Sequence, residues 1–187
     1  MPLVPLPARP AGLLNRFAAW YSRRNFGGEV AEPVKALSHH AGVLLAQGLE
    51  EMVVAQRWRR LDSTLRWLAV MAVSQRVGCS WCVDFGWYEG VATGVEPAKI
   101  RAVSVWRESP VFDDRERLVL EYADAASDTP AVIDDDLTAR LQSAFDPAEL
   151  VELAAWVALE NQRSRFNAGL GITSQGFRNR CEVPAHA

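Results

Sequence analysis

The stretch Val77-Gly78-Cys79-Ser80-Trp81-Cys82-Val83-Asp84-Phe85-Gly86 decides how the rest of this chain is read. It holds two of the three cysteines, spaced as Cys-x-x-Cys. Gly78 suits the end of one helix at Val77, and a new helix is then expected to start near Cys79. On a helix, residues three apart share a face, with Cβ atoms roughly 5–6 Å apart. Bridged cysteines have Cα atoms about 4.4–6.8 Å apart, so a disulfide needs only a small adjustment. A cysteine in the first turn also meets the positive end of the helix dipole, which favours thiolate. Cys79 and Cys82 are therefore candidates for a dithiol–disulfide cycle, with Cys79 the more acidic by this reasoning. The alternative is a pair of buried cysteines serving as small apolar residues.

Working outward, Asp62 is a plausible N-cap for the helix leading into the motif. Leu61, Leu65, Leu68 and Ala72 form one stripe, and Trp67, Val70, Met71 and Val77 another. A helix apolar on most of its circumference belongs in the interior. The motif helix is expected over about 79–93, with Gly94 as its stop. On its cysteine side come Gly86 and Glu89, whereas Asp84 points away on an ideal helix and reads as a polar contact rather than a base.

Upstream, Met1 to Pro7 has too many prolines for a signal peptide and reads as an extended arm over 1–10. The periodicity predicts a helix within Gly12–Asn25, a second from Pro33 through Leu45, and a third from Glu50 to Arg60. Downstream, Glu96-Pro97 opens a helix to about Glu108. Asp113 and Glu116 form a capping box for a helix whose inner face is Leu118, Tyr122 and Ala125. Asp134 to Asp136 begin a short helix ending at Phe145. Asp146-Pro147-Ala148-Glu149 is the clearest start signal, for a helix to about Ala168. Residues from about 170 to 187 read as an irregular tail. No run alternates like a half-buried strand. The expectation is a single all-α domain.

The chain has 187 residues, is 49% hydrophobic and 23% charged, and carries a formal net charge of −3. That balance excludes a general electrostatic pull toward nucleic acid, and no apolar run reaches membrane-spanning length. A cytoplasmic location is expected. Three cysteines do not make a disulfide framework. A closed zinc site would need two ligands beyond the pair. Cys181, His39, His40 and His186 remain, none at a recognisable spacing, so neither metal nor cofactor is expected. Glu160 and Asn161 continue the apolar stripes of the last helix. A carboxylate carried inward must be bonded or functional, and Arg163 or Arg165 could pair with it.

The segment from Leu65 to Cys82 resembles the core of the carboxymuconolactone decarboxylase family, on its alkylhydroperoxidase D-like branch. Phe112 to Arg117, Leu150 to Leu153, Glu160-Asn161 and Arg165-Phe166-Asn167 resemble its extended members, so the likeness spans about residues 30–177. The resemblance implies a helical bundle with Cys-x-x-Cys at the start of a core helix, and assembly as a trimer or hexamer. It also implies a peroxidase relay of glutamate, two cysteines and histidine. Cys79 and Cys82 match that relay, but Gly86 stands where the histidine would fall and Trp67 where the glutamate would. Glu160 is then the first candidate for the missing proton relay, with Glu89 and Asp84 behind it. The expected activity is that of a thiol-dependent peroxidase or disulfide oxidoreductase. Its partners would be a peroxide or protein disulfide and an unidentified reducing carrier. A non-redox ligand-binding or lyase-like member is the alternative.

Overall fold

The computed structural model describes residues 1–9 and 11–181. Its described residues contain nine α-helices and no strand: α1 (Leu13–Asn25), α2 (Glu32–Leu37), α3 (Ala41–Arg57), α4 (Ser63–Val77), α5 (Ser80–Ala92), α6 (Pro97–Ala102), α7 (Asp114–Ser127), α8 (Asp135–Ala144) and α9 (Pro147–Gly169). His186 lies outside the described residues.

The starts of α4, α7 and α9 and the end of α4 are where the side chains predict them. Asp62 accepts the Thr64 N–H at the start of α4. Asp113 with Glu116 and Asp146 with Glu149 form full capping boxes at α7 and α9. Gly78 ends α4 in the left-handed conformation (φ 78°), which costs glycine little and other residues much.

Helix α4 is the centre of the bundle. It packs against α5, α7 and α9 at once. Leu65, Trp67, Leu68, Ala69, Met71, Ala72 and Val73 are all buried, as an all-round apolar helix requires. The main core joins these residues to Val119, Leu120 and Ala123 of α7 and to Leu153, Trp156 and Val157 of α9. At one end Glu152 on α9 accepts the N–H groups of Arg60 (2.8 Å) and Leu61 (3.1 Å), fixing the entry into α4.

Three sequence expectations need correction. The chain breaks at Ser38–His40, not between Leu45 and Glu50, because His40 caps a new helix by accepting the Val43 N–H. A single α3 therefore covers residues divided above between two helices. On α7 the deepest positions are Val119, Leu120 and Ala123, while Leu118, Tyr122 and Ala125 flank them. The helix opened by Pro97 stops at Ala102 and continues only as a 3-10 turn over Val103–Val105.

Candidate functional site

The site begins where α4 stops. The Gly78 and Cys79 N–H groups both turn back to the Ser74 carbonyl (3.1 and 3.0 Å). Cys79 is consequently the N-cap of α5, one place earlier than a helical residue, and its Sγ accepts the Cys82 N–H at 3.2 Å. Cys79 and Cys82 are joined as a disulfide, with Cα atoms 5.3 Å apart. Both are buried, at 1% and 6% exposure. Asn167, on α9, donates from Nδ2 to Cys82 Sγ at 3.4 Å.

The pair sits outside the main core, in a second, smaller apolar cluster with Ala31, Ala36, Trp81, Ile172 and Phe177. Aromatic rings roof it. Trp81 stacks on Phe85 at 5.1 Å, and Phe177 meets the edges or faces of Trp81, Phe85 and Tyr88 at 5.3–5.9 Å. The extended arm reaches the same region, where Leu3 N–H donates to the Leu170 carbonyl (2.8 Å) and Val4 and Leu6 pack on the cluster.

The segment after α9 is held over the motif helix by one carboxylate. Asp84 accepts the N–H groups of Gln175, Gly176 and Phe177 on Oδ2 and that of Arg178 on Oδ1, at 2.7–3.0 Å. Gln175 then accepts from Trp81 Nε1 and the Glu32 N–H, and donates to the Val30 carbonyl. Arg178 lies over the Trp87 ring at 3.8 Å. The tail is irregular as expected as far as Cys181, apart from a 3-10 turn at Arg178–Arg180, but these bonds hold it as a strap over the motif helix. Beside it a shallow concavity of about 450 Å³ is lined by Gln75, Gly78, Ser80, Val83, Asp84, Ser174 and Arg178.

The two positions matched to the relay glutamate and histidine face each other. Trp67 Nε1 donates to the Gly86 carbonyl at 2.8 Å. A Cβ on Gly86 would overlap Met71 Sδ, and one on Gly90 would come within 2.8 Å of the Trp67 ring. The indole and the thioether therefore fill the space between α4 and α5 and leave no room for an imidazole at residue 86. Glu89 is turned toward Arg66 (3.9 Å).

Glu160 is buried beneath the motif. Its Oε1 bonds the hydroxyls of Ser74 (2.9 Å) and Ser164 (2.8 Å), and Oε2 lies 3.5 Å from Arg163. Burial pushes its carboxyl up from the usual range, against Arg163 and the two serines, which pull it down. Glu160 thus meets Ser74, whose carbonyl receives the Cys79 N–H, and forms no hydrogen bond to either sulfur among the described residues. Asn161 turns instead to Ser127 Oγ and the Val157 carbonyl.

The remaining candidates are dispersed. His39 Nε2 meets the Pro5 carbonyl at 2.7 Å, His40 caps α3, and Cys181 is a free thiol. Among the described residues no group of three or more His, Cys, Asp and Glu is arranged to hold a metal, and no helix is long and apolar enough to cross a membrane. Asn167 and the Asp84-bound strap were not legible as site elements. An asparagine near a helix end reads as an ordinary polar residue, and main-chain donors leave no sequence signal.

Known proteins match the chain in sequence and in fold. Residues 37–125, which include the cysteine pair, match the model of the carboxymuconolactone decarboxylase family. The uncharacterized protein YnjA of Escherichia coli (strain K12) is 36% identical over 184 residues, covering 98% of each chain. The alkylhydroperoxidase AhpD core of a peroxidase-related protein from Ralstonia eutropha JMP134 superposes with a TM-score of 0.78 at 17% identity, covering 94% of this chain and 96% of that one. The debrominase Bmp8, in complex with 2,3,4-tribromopyrrole, superposes with a TM-score of 0.80 at 19% identity, covering 96% and 97%. The chain belongs to the carboxymuconolactone decarboxylase family.

Proposed function

We propose that this protein is a cytoplasmic thiol-dependent oxidoreductase in which Cys79 and Cys82 cycle between dithiol and disulfide, reducing a peroxide or a protein disulfide. The observation that carries the reading is the bonded pair at the start of α5, with hydrogen-bond donors on both sulfurs. Two buried cysteines used only as apolar filler need no such donors. With a peroxide ROOH, one thiolate attacks the O–O bond and the alkoxide leaves, taking a proton to become ROH. The sulfenic acid so formed is attacked by the second thiol, and water departs. Two thiols and ROOH give the disulfide, ROH and water. A dithiol carrier returns the pair to the reduced state by exchange.

Trp67 and Gly86 cannot move protons in this cycle. Glu160 is our candidate for the proton-holding group; it bonds the Ser74 hydroxyl at the turn that leads into Cys79, and hydrogen-bonds neither sulfur among the described residues. Its raised carboxyl and its place beneath the Ser74–Cys79 turn support that assignment.

The test is peroxide consumption in the presence of a dithiol reductant. Cys82→Ser is expected to abolish turnover through the disulfide. Glu160→Gln is expected to slow it by about 10- to 100-fold, the lower part of the range for general acid–base help. A Cys82→Ser protein that consumes peroxide as fast as wild type would sink the paired-cysteine cycle.

A further inference from the structure

The hydrogen bond from Asn167 to Cys82 is poorly matched to a disulfide. Disulfide sulfur is a weak acceptor, and Asn167 is 3% exposed, so its amide has given up water for this contact. The same amide is well matched to a thiolate, because a hydrogen bond to an ionised acceptor is roughly twice as strong as a neutral one. A thiolate at Cys82 needs such help. It shares a buried apolar cluster with Ala31, Ala36, Trp81, Ile172 and Phe177, and apolar burial disfavours charge on sulfur.

Charged groups on α4, α5, α9 and the strap are engaged elsewhere, and α2 adds Glu32 and Lys35. Asp84 on α5 holds the strap, Glu160 and Arg163 on α9 pair with each other, and Arg76 on α4 pairs with Asp128. Arg178 on the strap covers Trp87. Glu160, Ser164 and Asn167 follow one another at i, i+4 and i+7, so one face of α9 carries three buried polar residues. The first two are satisfied by each other and by Ser74, and the third ends at the sulfur.

We infer that Asn167 holds the negative charge on Cys82 Sγ when the Cys79–Cys82 bond opens, the task that a residue of the motif helix cannot perform while Gly86 stands at its position. The inference rests on the redox reading above. In the reductive half of the cycle, a thiolate of the dithiol carrier attacks Cys79 Sγ. The sulfur–sulfur bond breaks, and its electron pair leaves on Cys82 Sγ, where the Asn167 N–H donates to the new thiolate. The carrier's second thiol then attacks the mixed disulfide and frees Cys79. The carrier leaves as a disulfide, and the pair gains two electrons and the two carrier protons.

The experiment follows thiolate formation in the reduced protein by ultraviolet absorbance against pH, with the pair's equilibrium against a glutathione buffer measured in parallel. Asn167→Leu removes the donor. It is expected to raise the Cys82 thiol pKa, read in a Cys79→Ser background, by about one to two units, the worth of a hydrogen bond to a charged group. It should also shift the equilibrium toward the disulfide. Asn167→Asp keeps the size of the side chain and places an anion at the sulfur, so it should raise the pKa at least as far. Should either variant fold while its thiol titration and equilibrium match wild type, the role of Asn167 is overturned and the redox reading stands. If the wild-type pair neither titrates nor oxidises, both fall together.

Discussion

The carboxylate of Asp84 receives four main-chain N–H groups from residues 175–178 and pairs with no cation among the described residues. Burial pushes its pKa up, but the N–H groups of Arg178, Phe177 and Gln175, with the Ser174 hydroxyl, outweigh it and hold the carboxyl below the usual range. A depressed carboxyl adds stability that is fully present above its unfolded pKa of about 3.9 and is lost as pH falls through the lower folded value. Acidification through that window should release the strap before the main core, seen as faster hydrogen exchange at residues 175–178 than at α4. Asp84→Asn, which keeps one acceptor oxygen and no charge, is expected to lower stability by about 2–3 kcal/mol. Unchanged thermal unfolding in that variant would refute the clamp. The spacing of Asp84 from Cys82 already marked it as a contact rather than a base. What it contacts was not readable, because its partners are main-chain donors 91–94 residues away.

At the scale of elements, the crossing of α4 and α5 brings Trp67 and Gly86 together. Gly86 and Gly90 let α5 approach α4 closely, and Met71 and Trp67 fill the space they leave. Gly86→Ala should overlap Met71 and lower stability by about 1–3 kcal/mol, the usual penalty of overpacking. Pairing it with Met71→Ala should restore part of the loss. A Gly86→Ala protein as stable as wild type would show that the crossing relaxes freely. Motif helix, capping boxes and the glycine stop were legible because they are local, set by side chains within four residues. The break before α3 was missed because it depends on which of two adjacent histidines folds back onto the chain.

At the scale of the molecule, two helices lack cover among the described residues. On α1, Leu13, Phe17, Trp20 and Tyr21 are exposed, and α3 exposes Leu45, Leu49, Met52 and Val53 while burying only Leu44 and Val54. Helices of this length gain most of their stability from packing an apolar face, so both stripes need a partner. We propose that the partner is a second copy of this chain, in a trimer or hexamer. Phe17→Glu with Leu49→Glu should reduce the solution mass to that of one chain, and a wild type already monomeric would remove the proposal. The sequence by itself determined the all-α fold, the capped starts of α4, α7 and α9 and the adjacency of the two cysteines, since each depends on periodicity and on contacts a few residues apart. Only the tertiary structure decided what surrounds the sulfurs. Asn167, Phe177 and the strap arrive there from the far end of the chain, carried by the packing of α9 on α4. Such arrivals follow from how helices cross in space, and no local pattern encodes them.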